Sequence, residues 1–188
     1  MAVQKGIDKW KTKRWFTVYA PKIFDEQKIC EIPGEDEKAV QGRNIKISLD
    51  SLTHKPQHSV SNVIMRIESV NGDSAHTKLV MIEEVYSYIR SLVRRYRSVS
   101  SVVVPVKSSG GDSFVIKAMA ITKERTAASR LKAIRKLVEE RIKEMSAENS
   151  SDWIVKSVID GTMQADIYER ANKIAQIGKI EIRKIESA

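Results

Sequence analysis

The chain has 188 residues, 41% of them hydrophobic and 30% charged, with a formal net charge of +9. That is enough apolar material for a packed core, and the basic excess narrows the natural partners to polyanions: nucleic acid, an anionic membrane surface or an acidic protein. Cys30 is the single cysteine, which excludes an internal disulfide framework and a cysteine-based zinc site and points to a reducing, intracellular compartment.

Residues 1–15 read as a basic arm, in which Lys5, Lys9, Lys11, Lys13 and Arg14 stand against the single acid Asp8. No apolar run follows these charges, as a signal peptide would require, and no stretch of about 20 apolar residues offers a membrane span. "WFTVYAP" alternates like a strand and stops at Pro21. "IFDEQKICEI" is a weaker strand or an irregular segment, with Cys30 as a small apolar filler rather than a nucleophile. "PGEDEKAVQG" reads as an acidic, turn-rich loop. "RNIKISLDSL" alternates, with Ile45, Ile47 and Leu49 on one face, and "LTHKPQ" is a loop. "HSVSNVIMRIESV" and "AHTKLVMIEEV" flank Asn-Gly-Asp, a hairpin signal because Asn and Gly tolerate positive φ.

"EEVYSYIRSLVRRYR" reads as a helix with Val85, Ile89, Leu92, Val93 and Tyr96 on its apolar face. "SVSSVVVPVK" and "DSFVIKAMAITK" form a second hairpin through "SSGG", and Pro105 places its first arm at an edge or a bulge. "TKERTAASRLKAIRKLVEERIKEM" is a long helix opening at Thr126 as N-cap. Its seam of Leu131, Ile134, Val138, Ile142 and Met145 recurs at steps of three and four. At roughly 100° per residue, Arg125, Lys132, Lys136 and Lys143 fall on a line away from that seam. A further helix covers "WIVKSVIDG", capped by Ser151 or Asp152 and ended near Gly161. "QADIYERANKIAQI" is a last helical piece released at Gly178, and "KIEIRKIE" a final strand. This order implies an α+β protein with a mainly antiparallel sheet.

Catalytic and metal signals are absent from the sequence pattern. His54 and His58 have a four-residue spacing, but Pro56 between them breaks a helix and no third ligand follows. Glu83–Glu84 and Glu139–Glu140 are adjacent pairs that diverge on a helix and cannot flank one bond. "SSGGDSF" lacks the Lys-Ser/Thr and helix start of a phosphate loop. The expectation is a protein that is no enzyme, with no cofactor, no metal and no small-molecule substrate.

The basic residues carry the functional reading. Lys5, Lys9, Lys11, Lys13 and Arg14 form the arm. Arg90, Arg94, Arg95 and Arg97 form an acid-free cluster. The long helix holds Lys123, Arg125, Arg130, Lys132, Arg135, Lys136, Arg141 and Lys143 against Glu124, Glu139, Glu140 and Glu144, with most of the basic excess in its first half. The Asp25–Glu37 segment is strongly acidic by contrast. A single such cluster is as well explained by a solvated helix face. Segregation over three clusters creates a field that attracts polyanions, and the arginine fork suits phosphate. RNA fits better than duplex DNA, since no helix-turn-helix, zinc-finger or zipper spacing occurs. Trp10, Trp15, Tyr86, Tyr88 and Tyr96 lie among the charges as core residues or as stacking partners for bases. The competing reading is a basic adaptor that binds acidic proteins.

Four stretches, in order, carry a resemblance: "WFTVYAPKIF", "GRNIKISLDSL", "FVIKAMAITKERTAASRLKAIRKLVEERIKEM" and "VKSVIDGTMQADIYERANKIAQIGKIEIRKIE". Together they look like the archaeal form of a small-subunit ribosomal protein family called S-three-a or e-type S-one, over residues 10–186. The resemblance implies a β-barrel-like sheet core flanked by helices, with residues 16–186 as one globular rRNA-binding domain behind a basic arm, 1–15, that is free to be flexible. It implies a place on the platform of the small subunit, near the 3′ end of its rRNA and the messenger exit, beside other platform proteins and near mRNA. Translation in the cytoplasm, bound to the ribosome and with no membrane, is the corresponding role. The short ends, compared with the long basic extensions of eukaryotic members, imply an archaeal source.

Overall fold

The computed structural model describes residue 10 and residues 12–187. They group into two compact units: the residues up to Lys46 together with Ile64–Leu79, and Ile47–Val63 together with the residues from Val80 onward.

In the first unit, strand β1 (Arg14–Tyr19) pairs antiparallel with β2 (Lys28–Gly34), Arg14 opposite Gly34. It runs parallel to the start of β5 (Ser74–Glu84), Thr17 opposite Ser74. β5 is joined to β4 (Ser61–Asn71) through Gly72, whose φ of +60° is the conformation expected at this hairpin turn. The core is Phe16, Val18, Val40, Ile67 and Ala75, with Cys30, Ile32, Ile45 and Val70 packed against it. Burial pushes the Cys30 thiol pKa up, as suits an unreactive filler. The stretch read as an acidic loop holds the end of β2 and a helical turn, α1 (Glu37–Val40). A Cβ at Gly34 would lie 2.2 Å from the Val40 Cγ2, so glycine is what lets α1 fold back over Phe16.

The second unit contains α2 (Leu49–Thr53), α3 (Tyr86–Leu92), β6 (Val99–Lys107), β7 (Ser113–Thr122), α4 (Ala128–Glu148), α5 (Ser151–Asp160), α6 (Thr162–Asn172) and β8 (Ile177–Ser187). β3 (Asn44–Ser48) leads into it and stops one residue before Leu49. The alternation of Ile45, Ile47 and Leu49 therefore ends in a helix, where Leu49 is buried. β7 pairs with both β6 and β8 in antiparallel ladders. From Ala118 to Thr122 it is buried on both faces, and Met119 and Ile121 pack against Ile89 of α3. α4 lies along β6, and α6 lies along β8 and touches α4. Ile134, Val138, Ile142 and Met145 of the expected seam are buried, and Leu131 is half-buried.

The α+β class stands, with a different sheet. The strand order is β2-β1-β5-β8-β7-β6, with β3 on β4 and β4 on β5. The sheet does not close into the expected barrel-like form; it is mixed through the parallel β1–β5 ladder, while β1–β2, β5–β8, β6–β7 and β7–β8 are antiparallel, as expected of a mainly antiparallel sheet. The two strands that end the order carry Pro33 and Pro105, each lacking an N–H for a further ladder. The edge position read from Pro105 is correct. Gly178 is the second residue of β8 and not a release point. Ser150, rather than Ser151 or Asp152, caps α5, accepting from the Trp153 N–H, and Gly161 ends it at φ +78°.

One buried acid has a consequence for stability. Glu84, at the end of β5, lines a cavity of about 320 Å³ with His58, Tyr88, Asp160, Gln164, Lys179 and Glu181. Its Oε2 is buried with no hydrogen-bond partner among the described residues. Burial, then the Glu181 charge, pushes its pKa up to about 9, against a smaller opposing pull from Lys179. The folded state therefore holds a proton that the unfolded chain releases near the ordinary glutamate value. The stability this contributes is full below about pH 4.5 and falls as pH rises toward 9, with a slope of at most about 1.4 kcal/mol per pH unit. Glu84→Gln, which keeps a donor toward Glu181, is expected to flatten the fall in urea midpoint between pH 5 and 9 and to raise the midpoint at the alkaline end.

Candidate nucleic-acid interface

The second basic cluster does not lie on a helix as expected. α3 ends at Leu92, and Val93 turns to extended geometry (φ −82°, ψ 105°). Arg94, Arg95 and Arg97 stand in the loop to β6, and only Arg90 is helical. The reason is burial: Ile89 is covered, but Val93 is 43% and Tyr96 77% exposed, so helix continued through them would have had no apolar face to bury. The loop has its own bonds instead. Arg94 Nε donates to the Ser91 carbonyl at 3.2 Å, and Arg97 Nη1 to the Leu92 carbonyl at 3.5 Å.

The third cluster also begins outside its helix. α4 starts at Ala128 with Ala127 as N-cap, and no side chain caps it. Thr126, read as the cap, instead donates its N–H to Ser98 Oγ at 3.1 Å. Lys123 and Arg125 consequently sit in the connection from β7 to α4. Thr122 is 1% exposed, and its hydroxyl accepts from the Ser98 N–H at 3.0 Å and donates to the Glu124 carbonyl at 2.6 Å. The Lys123 N–H donates to the Gln176 carbonyl at 3.0 Å. These bonds tie the residue after Arg97 to the segment holding Lys123 and Arg125, next to the first turn of α4 with Arg130. Two clusters far apart in sequence thus become one surface. Lys173, the C-cap of α6 three residues before Gln176, is exposed as well. The sequence reading did not single out Lys173, which stands alone in "ANKIAQ".

Arg90, Arg94, Arg95, Arg97, Lys123, Arg125, Arg130, Lys132, Lys136 and Lys143 are all exposed. Among the described residues, carboxylates engage only two of them: Lys136 meets Glu140 at 3.7 Å, and Lys143 meets Glu139 at 2.6 Å. Lys132, Lys136 and Lys143 do form a line opposite the buried seam of α4. Arg141 belongs to the scaffold. It bonds Asp166 at 2.7 Å and Glu144 at 3.0 Å, contacts that raise its pKa and, through Asp166, join α4 to α6. Arg90 lies 5.7 Å from the Tyr86 ring, which is 64% exposed.

Lys13 and Arg14 are exposed in the first unit: Lys13 Nζ is 4.2 Å from the Trp10 ring centroid, and Arg14 is 3.9 Å from Asp73. Lys5, Lys9 and Lys11 lie outside the described residues. The five aromatics read as core or stacking residues divide accordingly. Trp10, Trp15, Tyr86 and Tyr96 are exposed. Tyr88 is half-buried and donates to Glu181 Oε1 at 2.6 Å while accepting from Lys179.

Thr122 holds this surface together from beneath. Thr122→Val removes the hydroxyl, leaves the Ser98 N–H without its acceptor, and is expected to cost about 1–2 kcal/mol of stability. A urea titration of the variant beside the parent reads this cost.

Comparison with known proteins gives a consistent picture. A family model described as the ribosomal S3Ae family matches residues 1–188. The small ribosomal subunit protein eS1 of Archaeoglobus fulgidus is 33% identical over 95% of this chain and 86% of its own length. The proteins of the same name from Pyrobaculum neutrophilum and Haloarcula marismortui are each 31% identical, over 95% and 92% of this chain and 81% of their own lengths.

Proposed function

The chain belongs to the ribosomal S3Ae family, and from that premise we propose that it is a structural constituent of the small ribosomal subunit that binds small-subunit rRNA. The family is one of ribosomal proteins and not of enzymes. Its place in this reading is the platform, near the 3′ end of the rRNA and the messenger exit, among neighbouring platform proteins in the cytoplasm. The observation that carries the RNA contact is the surface made by the Arg94–Arg97 loop, Lys123, Arg125 and Arg130, whose cations have no carboxylate partners among the described residues. Holding like charges together unpaired costs self-repulsion, and a polyanion offsets that cost. The line of Lys132, Lys136 and Lys143 on α4 extends the surface, and Lys13 and Arg14, with Lys5, Lys9 and Lys11, add the arm.

The test is sedimentation of cell extract through a gradient at low and then high salt. Retention with the small subunit at high salt is the expected result. Absence from the subunit at every salt overturns the reading and favours the adaptor. Release at modest salt marks a peripheral binder held by counterion release alone. Competition by excess free rRNA separates RNA binding from capture of an acidic protein, since both weaken with salt.

A further inference from the structure

At position 96 the α3–β6 loop needs the left-handed backbone, and the residue there is tyrosine, with φ +65°. A bulky side chain in this region is strained by on the order of 1 kcal/mol, where glycine or asparagine would not be. The fold returns nothing for that strain. Tyr96 is 77% exposed, more than any other large hydrophobic side chain among the described residues. Its ring meets no aromatic or cationic group among them, unlike Tyr86 under Arg90 or Tyr88 under Lys179. The loop is nonetheless held at both ends. The Arg97 N–H reaches the Arg94 carbonyl at 3.3 Å, and Ser98 is bonded to Thr122. An aromatic face is thus presented to solvent from an anchored turn, between arginines.

Resting on the rRNA reading above, we propose that the Tyr96 ring is a stacking platform for an unpaired RNA base, with Arg94 and Arg95 on the flanking phosphates. Bases in A-form duplex are stacked on one another and offer no free face; bases in loops and bulges do. Arginines beside the ring supply the attraction to phosphate, and the ring supplies a preference for unpaired structure that charge alone lacks. The tyrosine hydroxyl has no part in stacking, so phenylalanine serves as well.

The test compares two RNA probes of equal length, a hairpin with an unpaired loop and a blunt duplex. It uses the full chain with Tyr96→Ala, Tyr96→Phe and Tyr96→Gly, and with Arg94→Ala/Arg95→Ala as control. Tyr96→Ala and Tyr96→Gly are expected to weaken hairpin binding about ten-fold, to leave duplex binding unchanged, and to leave the salt dependence of both unchanged. Tyr96→Phe is expected to bind as the parent does. Tyr96→Gly is also expected to melt no lower than the parent, because it relieves the backbone strain. A loss of binding then cannot be ascribed to unfolding, and a marked fall in its melting temperature overturns the proposal by making the ring a part of the loop's structure. Equal losses on hairpin and duplex overturn it as well. Parent-like binding by the Tyr96 variants, with both probes weakened by the arginine control, overturns stacking and keeps the rRNA reading. If the arginine control also binds as the parent does, the proposal fails because this loop is no part of the RNA contact; if the parent itself binds neither probe, the rRNA reading fails with it.

Discussion

Replacing Arg94, Arg95 and Arg125 together by glutamate is expected to lower the affinity for small-subunit rRNA by about a hundred-fold or more at moderate salt. On the proposed contact, each change removes one cation from a phosphate and puts an anion in its place. Each neutralised phosphate contributes roughly 0.7 to 0.9 to the slope of log affinity against log salt, so the slope is expected to become shallower by about two to three. All three side chains are exposed and none is ion-paired among the described residues, so the melting temperature is expected to stay within a degree or two of the parent's. An unchanged salt slope would remove these residues from the RNA contact. The α4 line should follow in graded order. Lys132 is unpaired, Lys136 has a long contact with Glu140, and Lys143 has a close one with Glu139. Alanine at Lys132 is therefore expected to cost more affinity than at Lys143, whose charge is already half-satisfied within the helix.

The largest stability effect is expected at Ile134→Ala. Ile134 is 0% exposed on the α4 seam. Removing its outer carbons forfeits their transfer energy and leaves a cavity, at a cost of about 2–5 kcal/mol. Against a total of about 5–15 kcal/mol for a domain, this is a large share. The urea midpoint should fall accordingly, with the denaturant slope unchanged. Leu131→Ala, on the same seam but half-buried, is expected to cost distinctly less. A cost at Leu131 equal to that at Ile134 would mean that α4 is seated differently on β6. Under folding conditions neither variant is expected to change the salt slope of rRNA binding, because neither touches the charged surface.

Certain elements were legible because their signal is local. The α4 seam repeats at helical spacing over four turns, and Ile134, Val138, Ile142 and Met145 are buried as it required. The hairpin at Gly72 and the end of α5 at Gly161 rest on residues that tolerate positive φ. The edge position of β6 follows from one missing N–H at Pro105. The exposure of the arginines and lysines also followed from their chemistry, since a charge that is not paired does not leave water.

Sequence alone determined the α+β class, the buried face of the long helix, the hairpins and the identity of the basic residues, since each depends on spacing within a few residues or on the chemistry of one side chain. Tertiary structure decided the rest. The parallel ladder of β1 with β5 joins segments that no local periodicity links. The stretch after Leu92 carries apolar residues at helical spacing, yet it is a loop, because nothing packs over Val93 and Tyr96. Arg141 resembles its neighbours in sequence and is held within the scaffold by Asp166 on another helix. The surface that gathers Arg97, Lys123 and Arg125 depends on Ser98 meeting Thr122 and on Lys123 meeting Gln176. These contacts form only when β6, β7 and β8 are in register, and register is a property of strand pairs, not of any one strand.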